Sequence, residues 1–333
     1  MSNTVVVLVN GEVLADGQGS SIPSQRLNAA NLAEGLRPIF ASPLNIAVLH
    51  GNKPQVGFVL FRSEIASHIL HPIPLDVCGA DTQGATGYML SQAFMNVMSQ
   101  DSVRRRVMCV LTQTSVDTGR PKSEINMRPI GPWFDRDKAE QHRQARGWVM
   151  VEEPGRGYRR AVPTLPAVEI VEIEGIQQLV ESGVVVVAAG GGGIPVARNA
   201  AGALEGLEAV IETEHVACMV AQKLHAKVLL MVIEKDNKFI LSRLSTETPT
   251  HLSLEELDDL LEKDAFSYNS VQAKLWAAAE FLHNGGEQVI ITTLRKLPDT
   301  LEHKSGLRIG KPDPSLELFG SSERSQPVNK SSE

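Results

Sequence analysis

The chain has 333 residues, 42% hydrophobic and 21% charged, with 32 basic against 39 acidic residues and a net charge of −7. That is chain enough for one large α/β domain or two lobes, while the acidic balance and a 5% aromatic content argue against a nucleic-acid partner or a base-stacking platform. No stretch nears the ~20 apolar residues of a membrane helix, Met1–Asn10 carries no secretory pattern, and Cys78, Cys109 and Cys218 are too few and too scattered for a disulfide framework or a metal cluster.

These features predict a cytoplasmic α/β protein with no membrane segment and no metal ligands, its cysteines ordinary small buried residues. Apolar, β-branched runs at Thr4–Val9, Asn45–Leu49 and Val107–Leu111 read as strands covered on both faces. The stretch Asp117–Gly157 is dense in Pro, Gly and Arg and breaks the rhythm, which predicts a protruding subdomain at about 117–157. Strands resume at Val184–Ala189 and Val228–Ile233. A helix over Ser253–Lys263 follows, opened by a capping box of Ser253 and Glu256. A second helix spans Ser270–Asn284 and stops at Gly285-Gly286 before a strand at Val289–Thr292. Alternating strand and helix predict a wound, mainly parallel sheet in one domain over 1–310. The Ser/Pro-rich remainder, 311–333, reads as a disordered tail.

Wound sheets bind ligands beyond the carboxyl ends of their strands, and three of these ends carry glycine turns. They are Asn10-Gly11-Glu12, His50-Gly51-Asn52-Lys53 and Gly190-Gly191-Gly192-Gly193. Glycine lets backbone approach a ligand closely, and successive N–H groups can form an anion nest. Neither G-x-x-x-x-G-K-[ST] nor a G-x-G-x-x-G after the first strand is present, so any nucleotide is held in another way.

Eight segments in order complete the pattern: HGNKPQVG from His50, PLDVCGADTQGATGYML from Pro74, TQTSVD from Thr112, RPIGPWF from Arg128, EPGRGYRRAVP from Glu153, GGGGIPV from Gly190, EAVIE from Glu208 and GGEQVIIT from Gly285. In these the chain resembles the carbamate kinases of the amino-acid kinase family, from Val5 to about Ile309. The resemblance implies a three-layer αβα sandwich, a homodimer, and reversible phosphoryl transfer between ATP and carbamate with Mg²⁺, often run toward ATP from carbamoyl phosphate and ADP. It assigns phosphate or substrate contact to Gly11, Gly51, Asn52 and Gly190, Gly191, Gly192 and Gly193, and Lys53, where the family has glycine, reads either as a replacement phosphate ligand or as a solvated lysine. It assigns catalytic roles to Lys274, Arg128 and Glu214, and nucleotide contact to Glu234, Asp236 and Lys274.

The chain departs from the family pattern at these positions. Gly-Gly-Asn-Ala becomes Asn10-Gly11-Glu12-Val13, which brings a carboxylate to the first turn, and Lys53 replaces a glycine of the second. Arg128 stands for a lysine. Asp-Lys-Asp becomes Glu212-Thr213-Glu214, which removes a lysine expected at the transferred phosphoryl group. Losing one such charge typically costs about 10²–10³ in rate. Three readings follow: an ATP:carbamate phosphotransferase, an impaired paralogue that binds nucleotide or carbamoyl phosphate in the service of another protein, or a kinase for another small carbamoyl or carboxyl substrate. His50 reads as structural, Arg104-Arg105-Arg106 as a solvated edge, and Lys274 as removable without loss of thermal stability.

Overall fold

A computed structural model describes residues 3–15, 21–234, 251–263 and 270–311. The strands are β1 (Thr4–Val9), β2 (Asn45–His50), β3 (Val107–Cys109), β4 (Gln113–Val116), β5 (Met127–Phe134), β6 (Val149–Glu153), β7 (Gly157–Pro163), β8 (Ala167–Ile170), β9 (Val185–Ala188), β10 (Ile194–Arg198), β11 (Leu204–Gly206), β12 (Val228–Ile233), β13 (His251–Leu252), β14 (Gln288–Thr293) and β15 (Leu307–Gly310). The helices are α1 (Gly11–Leu14), α2 (Ile22–Gly35), α3 (Arg37–Ala41), α4 (Lys53–Ala66), α5 (Leu75–Gln100), α6 (Arg136–Arg146), α7 (Ile173–Glu181), α8 (Thr213–Lys223), α9 (Leu254–Glu262), α10 (Ser270–His283) and α11 (Leu297–Leu301).

Eight strands form the main sheet in the order β13-β15-β14-β12-β1-β2-β9-β3. All pairs in it are parallel except β14 with β15. The apolar runs explain why. Val6 and Leu8 of β1, with Leu229 and Met231 of β12, face one layer that includes α7, α8, α9 and α10. Val5, Val7 and Val9, with Val228 and Leu230, face the other, built from α2, α3, α5 and α11. Alternate residues of one strand thus enter two cores, and each such side chain stabilises the fold by about 1.5–3 kcal/mol of burial. The fold is the three-layer sandwich expected from the sequence, with all six predicted strands in its main sheet.

Local signals also set the ends of elements. Ser253 and Glu256 form the capping box of α9, and Gly285 takes φ +96° after α10. Strand β3 stops at Cys109, earlier than the apolar run predicts, because the chain leaves the main sheet to pair β4 with β10 in a second sheet of order β11-β10-β4-β8. A third sheet, β5-β7-β6, carries α6 and forms the segment that interrupts the strand–helix rhythm, its last strand running on to Pro163.

Two sequence expectations are corrected here. Arg105 is not a solvated residue: its guanidinium donates to the carbonyls of Leu44 and Gly183, which ties the start of β3 to the ends of neighbouring segments. Cys109 is exposed, whereas Cys78 and Cys218 are buried; β3 is the sheet's outermost strand, so its residues lack a neighbour on one side. The tail from 312 onward, and Asp236, lie outside the described residues. Among the described residues no helix is long and apolar enough to cross a membrane.

Candidate functional site

Strand β1 lies between β12 and β2, where the connections of the sheet diverge to either side, which in wound sheets opens a crevice at the carboxyl ends. The three glycine turns meet there. Gly51 N–H donates to Val9 O at 2.8 Å. A Cβ on Gly11 would lie 2.8 Å from Gly51 C, and one on Gly51 would lie 2.6 Å from Gly11 N. The first two turns therefore cross at backbone contact, a distance only glycine permits.

The third turn follows Ala189, held at φ +49°. A Cβ on Gly190 would strike the His50 ring at 2.6 Å, one on Gly191 the Asn52 carboxamide at 2.2 Å, and one on Gly193 the Thr114 hydroxyl at 2.0 Å. The turn is pinned on its other side: Ala189 N–H donates to Thr112 Oγ1 (2.9 Å), Thr114 Oγ1 donates to Gly192 O (2.8 Å), and Gln83 Nε2 donates to Gly190 O (3.1 Å). This qualifies the anion-nest expectation. The N–H groups of Gly192 and Gly193 donate to Ala189 O and Gly190 O, so at most those of Gly190 and Gly191 face a ligand. Asn52 is positioned by Thr82, its Nδ2 donating to Oγ1 at 2.9 Å. Thr82, Gln83, Thr112 and Thr114 are supports that the sequence reading did not single out, although all four lie in segments that carry the resemblance.

Around these turns stand the charges. Lys53, first residue of α4, is exposed to solvent. Surrounding protein and the Arg128 guanidinium lower its pKa, against the opposing pull of Glu212, Glu214 and Glu12. Arg128, near the start of β5, forms a close ion pair with Glu212, the residue preceding α8. Lys274 of α10 is buried and its Nζ lies 2.9 Å from Glu214 Oε1 in the first turn of α8. Burial would raise the Glu214 pKa, but the charge and hydrogen bond of Lys274, with Lys53 behind them, hold it below its ordinary value. His50 is buried, with Nδ1 3.1 Å from Gly51 O, and burial lowers its pKa to about 4, so it is neutral and structural as expected. Thr213 opens α8 between Glu212 and Glu214. Glu234 is exposed at the end of β12.

The fold thus gathers Gly11, Gly51, Asn52, Lys53, the glycine turn, Arg128, Glu214 and Lys274 at one end of the sheet. Three cations face three carboxylates. Such a site can bind a phosphoryl group and neutralise charge that develops on it, with no nucleophile required from the protein.

The amino acid kinase family profile matches residues 3–293. The chain belongs to this family. Within it, the chain is 34% identical over 314 residues to the carbamate kinase of Pyrococcus horikoshii, covering 93% of this chain and 99% of that one. It is also 34% identical over 316 residues to the carbamate kinase-like protein YahI of Escherichia coli, covering 93% and 100%. In three dimensions it is similar to the carbamate kinase from Giardia lamblia bound to AMP-PNP, with TM-score 0.85, 29% identity, and 93% and 99% of the two chains covered. The protein is carbamate kinase-like in sequence along most of its length and in fold.

Proposed function

We propose that this protein is a phosphotransferase of the carbamate kinase type, passing a phosphoryl group reversibly between ATP and carbamate, in practice from carbamoyl phosphate to ADP. The observation that carries the reading is the convergence of Lys53, Arg128 and Lys274, from three distant segments, on glycine turns at the carboxyl ends of β1, β2 and β9. Phosphoryl transfer asks for positioning and positive charge, and the site supplies both. Lys53 takes the place of the cation missing at Thr213, and Glu214 orients the buried Lys274 ammonium. Glu234, with Asp236 beyond the described residues, belongs to the nucleotide side. Among the described residues no group of three or more His, Cys, Asp or Glu could hold a metal ion. The separate carboxylates of the site suit Mg²⁺ brought in on the nucleotide, since Mg²⁺ is commonly held by one or two carboxylates together with substrate phosphates; bound there it would supply charge neutralisation.

One observation favours the second reading, a ligand-binding paralogue with little turnover. Arg128 and Lys274 are both already paired with carboxylates, and Thr213 offers no charge. Restoring the lysine separates the two. Thr213→Lys with Glu214→Asp raises the initial rate of ATP formation by about 10-fold or more if the change at Thr213 is the lesion; a wild type that already turns over and gains nothing has its cation in Lys53, and a repaired protein as inert as a blank supports the paralogue. The reading places the protein in the cytoplasm as a homodimer. The face that fits a second copy is the outer side of α4 and α5 with the edge strand β3, where Phe61, Ile65, Tyr88, Met95 and Met108 are exposed.

A further inference from the structure

The ion pairs of the site leave two groups over. Arg128 is paired with Glu212 and Lys274 with Glu214, but the Glu12 carboxylate and the Lys53 ammonium enter no hydrogen bond or direct ion pair among the described residues. Both are exposed. The backbone fixes Glu12 firmly: its N–H donates to Asn10 Oδ1 at 3.1 Å, and the preceding Gly11 lies in contact with Gly51 and the Asn52 nitrogen. Glu12 therefore stands beside the segment that carries Lys53, at the crossing of the first two turns, and its carboxylate adds a small upward pull to the Lys53 pKa.

An unpaired carboxylate next to a phosphoryl-binding cation is unfavourable for a ligand that is anionic throughout. It is favourable for one that offers N–H. An ionised carboxylate only accepts hydrogen bonds, and a carbamoyl group has an –NH2 end opposite the end that carries the phosphoryl group or its negative charge. We propose that Glu12 is a specificity-determining residue, its carboxylate accepting from the –NH2 of carbamate or carbamoyl phosphate while Lys53 faces the anionic end. This rests on the phosphotransferase reading above. A donor in which methyl replaces amino fills the same space but leaves the carboxylate without a partner, which disfavours it.

The test compares carbamoyl phosphate with acetyl phosphate, its methyl isostere, as donors for ATP formation by the full chain with ADP and Mg²⁺. The wild type, Glu12→Gln and Glu12→Ala are assayed for kcat/KM, and the thermal midpoint of each is measured with either donor alone. In the wild type, carbamoyl phosphate is preferred by about 10- to 10²-fold. Glu12→Ala loses that preference by falling on carbamoyl phosphate and holding or rising on acetyl phosphate, with Glu12→Gln between them because it keeps one acceptor oxygen. An unchanged donor ratio in Glu12→Ala overturns the proposal. So does an equal loss on both donors together with a raised Mg²⁺ requirement, which makes Glu12 a metal ligand. A wild type that forms ATP from neither donor contradicts the phosphotransferase reading instead. The thermal midpoints then decide the role of Glu12: carbamoyl phosphate must stabilise the wild type more than acetyl phosphate does and lose that advantage in Glu12→Ala, and any other result overturns it.

Discussion

Lys274 is 4% exposed with its ammonium 2.9 Å from Glu214, and removing it strands that carboxylate in a mostly buried place. Breaking such a pair costs about 3–5 kcal/mol, whereas replacing both partners with neutral groups of similar size costs far less. The sequence expectation that Lys274→Ala leaves the thermal midpoint unchanged is therefore replaced. The structure predicts a marked drop for Lys274→Ala and a smaller one for Lys274→Met combined with Glu214→Gln, both measured by thermal denaturation at pH 7; equal drops refute the ion-pair account. His50 gives a pH prediction. Its folded pKa, lowered by burial to about 4, lies below the unfolded value of 6.5, so the unfolded chain binds the extra proton between these values. The contribution is fully present above pH 6.5 and is lost as pH falls toward 4, about 3 kcal/mol in all. His50→Gln flattens the stability profile in that window, and an unchanged profile shows that His50 is not the group responsible.

At the scale of elements, legibility followed burial. Strands β1, β2, β9, β12 and β14 are readable because both faces enter a core and the apolar run is continuous. The strands of the two smaller sheets are short, mixed in polarity and partly exposed, and β5 carries Pro129 and Pro132, so no period marks them. Helix α5 is 26 residues long yet illegible by period, since Gly79, Gly84 and Gly87 dilute its apolar stripe. The glycine turns were legible as a site, but their steric purpose was not: that Gly191 yields to Asn52 requires three dimensions. Two substitutions test this. Gly51→Ala places a methyl 2.6 Å from Gly11 N and destabilises the protein by about 2 kcal/mol or more. Gly57→Ala, six residues on in α4 with nothing within 4 Å, stabilises it by about 0.5–1 kcal/mol. Urea midpoints that move in the same direction contradict the crossing-turn packing.

Across the whole molecule, Glu12, Lys53, Arg128, Glu214 and Lys274 come from segments spread over most of the chain, and only the doubly covered sheet brings them to one end. No periodicity could have grouped them; the resemblance did so, and the ion pairs of Arg128 with Glu212 and Lys274 with Glu214 became visible only in the fold. The proposed pairing through the exposed apolar residues of α4, α5 and β3 predicts a dimer by sedimentation, which Tyr88→Glu with Met95→Glu converts to monomer; a wild type that sediments as a monomer at micromolar concentration contradicts that assignment. The account's central claim is phosphoryl transfer at the site where Lys53, Arg128 and Lys274 converge. It is tested most directly by the rate of ATP formation from carbamoyl phosphate, ADP and Mg²⁺ with purified full-length protein, run beside Lys274→Met/Glu214→Gln as the control for contaminating activity. The account predicts turnover of about 1 s⁻¹ or faster that disappears in the control, and an equal rate in both proteins, or none in either, contradicts it.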